Sequence, residues 1–367
     1  MTKEKRLGVC IVSFPLVKAF EIPILNLSNV FSSITDTYVI IGAYDQLSIP
    51  KQNNIAQIHL FPVLKGPSLV KQIFRYGILN LKIMFKILSL QSCFRNIVFF
   101  MQPAPIFPML LAKIVHKKIF WLLPSNIDNL SRLPTKINSS LSKICFSICN
   151  YILVYSSRLI YDWHLDNYRN KILVTHNHFL DFEKFKLKKP LKDRDNLVGY
   201  IGRFSHEKGT LNFLYAIPLI RPENGIKFLV GGDGPLRPQV EYLIKNNLRD
   251  QIKSVGWINR EDLPAYLNEL KLLVLPSCTE GLPNIMLEAM ACGTPVLATP
   301  VGSIPDVIKN NENGFIMANN SPECIAKNII STLNNPHLEL IAQNAYEMVK
   351  KDFTFEKAVE LFREILI

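Results

Sequence analysis

A chain of 367 residues, 48% hydrophobic and 20% charged, is too long for one ordinary core and too apolar for a disordered chain; it fits two globular domains. Its seven cysteines are odd in number, scattered and free of any CxxC, which argues against a disulfide framework or a zinc site and fits a reducing cytosol. The net charge of +12 is lopsided: residues 1–190 hold 24 Lys+Arg against 9 Asp+Glu (+15), and residues 191–367 hold 18 against 21 (−3).

The basic half suits an anionic partner: membrane phospholipid, a phosphorylated acceptor or nucleic acid. Ordinary solvated lysine is the plainer alternative. The chain opens on "MTKEKRLGVCIVSF", whose apolar run is short and stops at Pro15, so it reads as a first strand and not as a signal peptide. Further strands are predicted at 37–43, 96–101, 118–123 and 151–156, with helical segments between them. Such alternation is the pattern of βαβ units and a parallel sheet. The segment 68–96 is apolar but carries Lys71, Arg75, Lys82, Lys86 and Arg95, too many charges for a transmembrane helix. Lys71, Arg75, Lys82 and Lys86 share one helix face. That face suits either a membrane interface or a sheet-packing helix with a solvated basic side.

A charged, proline-containing seam, "DFEKFKLKKPLKDRDN" (181–196), places the domain boundary near 190. A second series follows, with strands predicted at 197–203, 226–232, 271–277 and 295–299. After the first of these, "YIGRFSHEKG" sets Gly202, Arg203 and Lys208 at a strand-to-helix turn, where two cations suit a diphosphate. After the third comes "EGLPNIMLEAMACG". Pro283 suits the first position of a helix that ends at Gly293. Glu280, Gly281 and Leu282 form the loop feeding that helix. The helix N-terminus is a ready anion site at the carboxyl end of a strand. Glu288 lies inside the helix, where its carboxylate can accept two hydroxyl hydrogen bonds, as a ribose diol offers.

Together, "GRFSHEKG", "GGDGP", "SVGWI" and "EGLPNIMLEAMACGTPVLATPVGSIPDVI" resemble the donor half of the family-4 glycosyltransferases, also described as glycosyl transferases group 1. The resemblance is dense over 197–320 and thin elsewhere. It implies a GT-B α/β fold: two Rossmann-like doubly wound domains, a cleft between them and a C-terminal crossover helix. It implies domains at 1–190 for the acceptor and 191–350 for the nucleotide-sugar, with a helix at 351–367 returning to the first. It also implies roles, with the E-x7-E signature falling on Glu280 and Glu288. Arg203 and Lys208 would neutralise the donor diphosphate, Glu288 would bind the ribose, and Glu280 would contact the sugar. The Gly281 and Leu282 amides would meet sugar hydroxyls or phosphate. Gly256 and Ile258 would hold the nucleobase through the backbone.

The first half departs from the family pattern. A Gly-Gly pair common in relatives is replaced by Lys18 and Ala19, with Glu21 keeping the acid. Where relatives often carry a histidine, this chain has Pro124, Ser125 and Asn126. Lys18, Ser125 and Asn126 are therefore candidates for the acceptor side. His176 and His178 form an H-x-H without further ligands and read as a linker loop, not a metal site. The resulting expectation is a retaining, metal-independent, nucleotide-sugar-dependent hexosyltransferase with no cofactor. Its acceptor is a glycan or lipid-linked glycan of surface polysaccharide, lipopolysaccharide or glycolipid assembly. It works in the cytoplasm, peripherally on the anionic inner face of the cell membrane, with no nucleic-acid partner. Two alternatives stand beside it: a non-catalytic member that binds a sugar nucleotide or partner subunit, and a nucleic-acid-directed protein. Against the latter, aromatics are not interleaved with the basic residues as a stacking groove needs.

Overall fold

Parallel strands covered by helices on both faces must be apolar on both faces, and runs such as "GVCIVSFPL" meet that demand. The computed structural model describes residues 8–16, 21–43, 55–62, 69–101, 104–123, 135–175, 178–221, 224–248 and 251–366. In chain order the first series is β1 (Gly8–Leu16), α1 (Glu21–Ile34), β2 (Thr37–Ala43), β3 (Ile55–Pro62), α2 (Leu69–Ser89), β4 (Phe94–Met101), α3 (Ile106–Ile114), β5 (Lys118–Leu122), α4 (Thr135–Ile148), β6 (Tyr151–Val154), α5 (Arg158–Asp162) and β7 (Ile172–Val174). The second series is β8 (Leu197–Ile201), α6 (Thr210–Ala216), β9 (Lys227–Gly231), α7 (Arg237–Leu243), β10 (Ile252–Gly256), α8 (Leu263–Glu269), β11 (Leu272–Leu275), α9 (Asn284–Ala291), β12 (Val296–Ala298), α10 (Ile304–Val307), β13 (Phe315–Ile316), α11 (Pro322–Leu333), α12 (Leu338–Asp352) and α13 (Phe355–Leu366).

Each series forms one parallel sheet. The first has seven strands in the order β3-β2-β1-β4-β5-β6-β7, and the second six in the order β10-β9-β8-β11-β12-β13. Both orders reverse beside the first strand of the series, as in doubly wound folds. Such a reversal leaves a crevice at the carboxyl ends of the strands, where ligands bind.

Four strands lie outside the predicted set: β3, β7, β10 and β13. They are the two outer strands of each sheet. Of these, β3 and β10 are covered less completely and carry polar residues, Gln57 and His59 in β3 and Lys253 and Ser254 in β10. These two therefore lack the unbroken apolar run that marks the inner strands, whereas β7 (ILV) and β13 (FI) are apolar but only three and two residues long.

Two compact units result, one made of residues 1–178 with 355–367, the other of 179–354. The change-over lies at 178/179, ahead of the charged seam that marks it in the sequence. The physical reason is that the seam is bonded into the second unit. Asn268 Oδ1 accepts from the Lys188 amide at 2.7 Å, and its Nδ2 donates to Lys186 O at 3.1 Å. Helix α13 belongs to the first unit. Phe362 meets Phe31 of α1 edge-on at 5.0 Å, and Asn96 Nδ2 donates to the Leu366 carbonyl at 3.3 Å.

Arg194 pins the second unit. It is 4% exposed and donates to the carbonyls of Lys189, Leu267, Leu270 and Cys292 and to Thr294 Oγ1. Burial pulls its pKa down to about 10, which leaves it charged at neutral pH. Arg194→Ala strands several buried acceptors at once and is expected to cost about 3–5 kcal/mol, read by denaturant unfolding. A loss within experimental error of zero would show that water replaces these bonds.

Candidate functional site

The turn after β8 holds both predicted cations. Tyr200 Oη donates to the Arg203 carbonyl at 2.9 Å and shares a 2.7 Å bond with Thr210 Oγ1, which also accepts from the Ser205 amide. These bonds fix the backbone and leave the Arg203 side chain 60% exposed, with Glu207 Oε1 3.7 Å away. Lys208 ends a short 3-10 turn at His206–Lys208. The Cys278 amide donates to the Glu207 carbonyl at 2.8 Å, which ties this turn to the loop after β11.

That loop carries Glu280, only 8% exposed. Its Oε2 is 2.6 Å from Lys208 Nζ, and its Oε1 accepts from Ser277 Oγ at 2.7 Å. Each carboxylate oxygen thus has one partner, a cation on one and a hydroxyl on the other, and keeps further acceptor capacity. The loop is braced from behind. Thr299 Oγ1 donates to the Ser277 carbonyl at 2.5 Å, and the Ser303 amide donates to the Gly281 carbonyl at 2.8 Å. Gly302 permits that brace: its φ is +57°, and a Cβ there would sit 2.1 Å from the Glu280 carbonyl.

Among the described residues the Gly281 and Leu282 amides have no hydrogen-bond partner. Helix α9 starts just beyond, at Asn284; Pro283 is its N-cap, with ψ at 119°, rather than its first helical residue. Open amides at a helix start attract anions.

Glu288 is 2% exposed, just over one turn into helix α9 and among the buried Met286, Leu287 and Met290. The partner that the sequence leaves unnamed is Arg260, whose Nη1 lies 3.0 Å from Glu288 Oε1. The contact is an ion pair rather than a well-directed hydrogen bond, so Oε1 keeps acceptor capacity. Burial pushes the Glu288 carboxyl above its ordinary pKa, while Arg260 and Lys184 pull the other way. Arg260 in turn lies 5.4 Å over the Phe185 ring.

The glycine turns after β8, β9 and β10 lean on one another. The Gly202 amide donates to Gly231 O at 3.0 Å, and the Gly232 amide donates to Gly256 O at 2.6 Å. Gly232 has φ +140°, and a Cβ there would fall 1.8 Å from Gly202 O, so "GGDGP" is required by close backbone approach. Ile258 packs over Gly231.

Sequence reasoning therefore places Gly202, Arg203, Lys208, Gly256, Ile258, Glu280, Gly281, Leu282, Pro283 and Glu288 on turns and one helix at the carboxyl ends of the second sheet. The structure joins Lys208 to Glu280 directly, whereas among the described residues the Arg203 side chain pairs with Glu207. It adds Ser277, Arg260 and Gly302, for which no sequence signal stands out. Lys18, Ser125, Asn126 and His176 lie outside the described residues, as does the Glu21 side chain.

Two doubly wound parallel sheets place the chain in the GT-B class. Its fold matches that of HepE from Anabaena, crystallised with UDP, at TM-score 0.78 and 16% identity over 98% of this chain and 99% of that one. The sequence pattern described as "Glycosyl transferases group 1" matches residues 181–348 of the chain. Two relatives carry substrate names. A Campylobacter jejuni GalNAc-alpha-(1->4)-GalNAc-alpha-(1->3)-diNAcBac-PP-undecaprenol alpha-1,4-N-acetyl-D-galactosaminyltransferase is 27% identical over 67% of this chain and 67% of that protein. An Escherichia coli UDP-Gal:alpha-D-GlcNAc-diphosphoundecaprenol alpha-1,3-galactosyltransferase is 26% identical over 48% of this chain and 46% of that protein. The chain spans about half the length of the first curated relatives it matches.

Proposed function

We propose that the protein is a retaining hexosyltransferase that moves a sugar from a nucleotide-sugar to a glycan or lipid-linked acceptor. The observation that carries this reading is the Lys208–Glu280 pair, 2.6 Å apart, next to the open Gly281 and Leu282 amides at the start of α9. A cation, two N–H donors and a helix start suit a diphosphate, and the exposed Arg203 adds a second cation. In this reading Glu288 takes the ribose hydroxyls and Glu280 handles the sugar. The backbone of Gly256 to Ile258 takes the base.

The bond from sugar C1 to the diphosphate oxygen breaks as the acceptor oxygen bonds to C1 on the same face. The acceptor proton passes to the leaving phosphate oxygen. Arg203 and Lys208 stabilise the charge that develops on that leaving group, a fixed electrostatic environment made for the transition state. The two relatives named for undecaprenol-linked acceptors, together with the basic first half, support a lipid-linked acceptor at the cytoplasmic face of the cell membrane. Surface polysaccharide, lipopolysaccharide or glycolipid assembly is the corresponding pathway class.

A panel of nucleotide-sugars, scored by nucleotide release with membrane extract as acceptor, tests this reading. One donor is expected to turn over; a folded protein that turns over none contradicts it. Because Arg203 and Lys208 supply the neutralising charge, the same release is expected to continue unchanged in a chelator. Loss on chelation that manganese or magnesium restores would overturn the metal-independent mechanism.

A further inference from the structure

Helix α2 (Leu69–Ser89) carries two apolar stripes. Leu79, Ile83 and Ile87 are buried against the first sheet's core. On the other side Phe74, Ile78, Leu81, Phe85 and Leu88 recur at spacings of 4, 3, 4 and 3 and are exposed, Phe74 by 69% and Phe85 by 74%. At about 100° per residue the second stripe lies opposite the first. A helix packed on a soluble sheet normally turns polar residues outward. Helix α3 packs beside α2 and continues the pattern with exposed Phe107, Leu110 and Ile114. Exposed apolar residues concentrated on two neighbouring helices mark an interaction site.

The charge around this surface has one sign. Arg75, Lys82 and Lys86 follow one flank of the exposed stripe, and Lys113 is exposed on α3. Residues 46–127 contain ten Lys+Arg and no Asp or Glu. Among the described residues no helix is long and apolar enough to cross a membrane.

We propose that the α2–α3 face docks on an anionic phospholipid surface, with Phe74, Leu81, Phe85, Phe107 and Ile114 entering the acyl boundary and Lys82, Lys86 and Lys113 reaching the headgroups. The proposal deepens the reading of a lipid-linked acceptor and rests on it. A helix with an apolar face and a lysine flank lies in the interface plane, held by both apolar burial and attraction to anionic lipid. A second copy of the chain is a poor occupant, because a two-fold interface would set an acid-free basic face against itself. Nucleic acid would leave the phenylalanines and leucines facing phosphate.

The test is co-sedimentation of the full chain with phosphatidylglycerol–phosphatidylcholine vesicles and with pure phosphatidylcholine vesicles. Binding is expected on the first, weakening with added salt, and little on the second. Phe74→Ser/Phe85→Ser should weaken partitioning by roughly tenfold or more. Lys82→Gln/Lys86→Gln should weaken it by about tenfold on anionic vesicles alone. The substituted positions are surface ones, and unchanged circular dichroism and Tm verify the fold. Both variants should bind a nucleoside diphosphate like the wild type, which separates this proposal from the donor-site reading. A wild type that binds vesicles but no nucleotide would leave the surface standing and remove that reading. Equal binding to both vesicle types, or variants that bind vesicles like the wild type, would overturn the proposal. So would a dimer that Phe85→Ser dissociates, or salt-sensitive DNA binding without vesicle binding.

Discussion

Arg203→Ala and Lys208→Ala are each expected to lower turnover by roughly 10²-fold or more, the scale of losing one electrostatic stabiliser of a developing charge. The two variants should differ in stability. The Arg203 side chain is 60% exposed and its backbone is held by Tyr200 and Thr210, so its removal leaves the fold intact. Lys208 is different, because it caps Glu280 Oε2, and without it a nearly buried carboxylate keeps only Ser277. Lys208→Ala should therefore cost about 1–3 kcal/mol of stability as well as rate. Rates measured well below the unfolding temperature separate the two effects. Wild-type-like turnover in either folded variant removes that residue from the site.

Glu288→Gln is expected to weaken free nucleoside diphosphate and intact nucleotide-sugar alike, by about 1.5–3 kcal/mol, the value of a charge-assisted bond to the ribose. Glu280→Gln should leave the free diphosphate almost unaffected and lower the rate of sugar transfer. Calorimetric titration of both variants with both ligands decides the division of roles. Equal weakening of the bare diphosphate in the two variants would refute it.

Glu288 adds a pH signature. Burial raises its pKa in the folded protein, so the folded state binds this proton more tightly than the unfolded chain does. The associated stability is present below the unfolded pKa and is lost as pH rises through the folded one. At neutral pH Glu288→Gln should thus be at least as stable as the wild type while binding nucleotide more weakly. That combination distinguishes a binding defect from unfolding. Wild-type nucleotide affinity should fall as acid protonates Glu288, and the glutamine variant should flatten that fall.

The inner strands are legible in the sequence because parallel strands covered on both faces need unbroken apolar runs, as in "YILV" and "LLVL". The four edge strands are not: partial exposure admits residues such as His59 in β3 and Lys253 in β10, and β7 and β13 are only three and two residues long. The acids of the site are legible through their eight-residue spacing around a helix start. Their partners are not. Ser277 and Arg260 meet Glu280 and Glu288 through the placement of strand ends in the sheet, which no local pattern encodes. Gly302 likewise reads as an ordinary turn residue until the Glu280 carbonyl is found against it.

The central claim is that the second unit holds a nucleotide-sugar by its diphosphate and releases the sugar to an acceptor with retention. Proton NMR of the purified protein with an α-linked nucleotide-sugar and an undecaprenyl-diphosphate-linked glycan tests it most directly. The account predicts that the donor's anomeric signal decays while nucleoside diphosphate and an α-linked product appear together. A β-linked product, or donors left intact across the sugar panel, would contradict it.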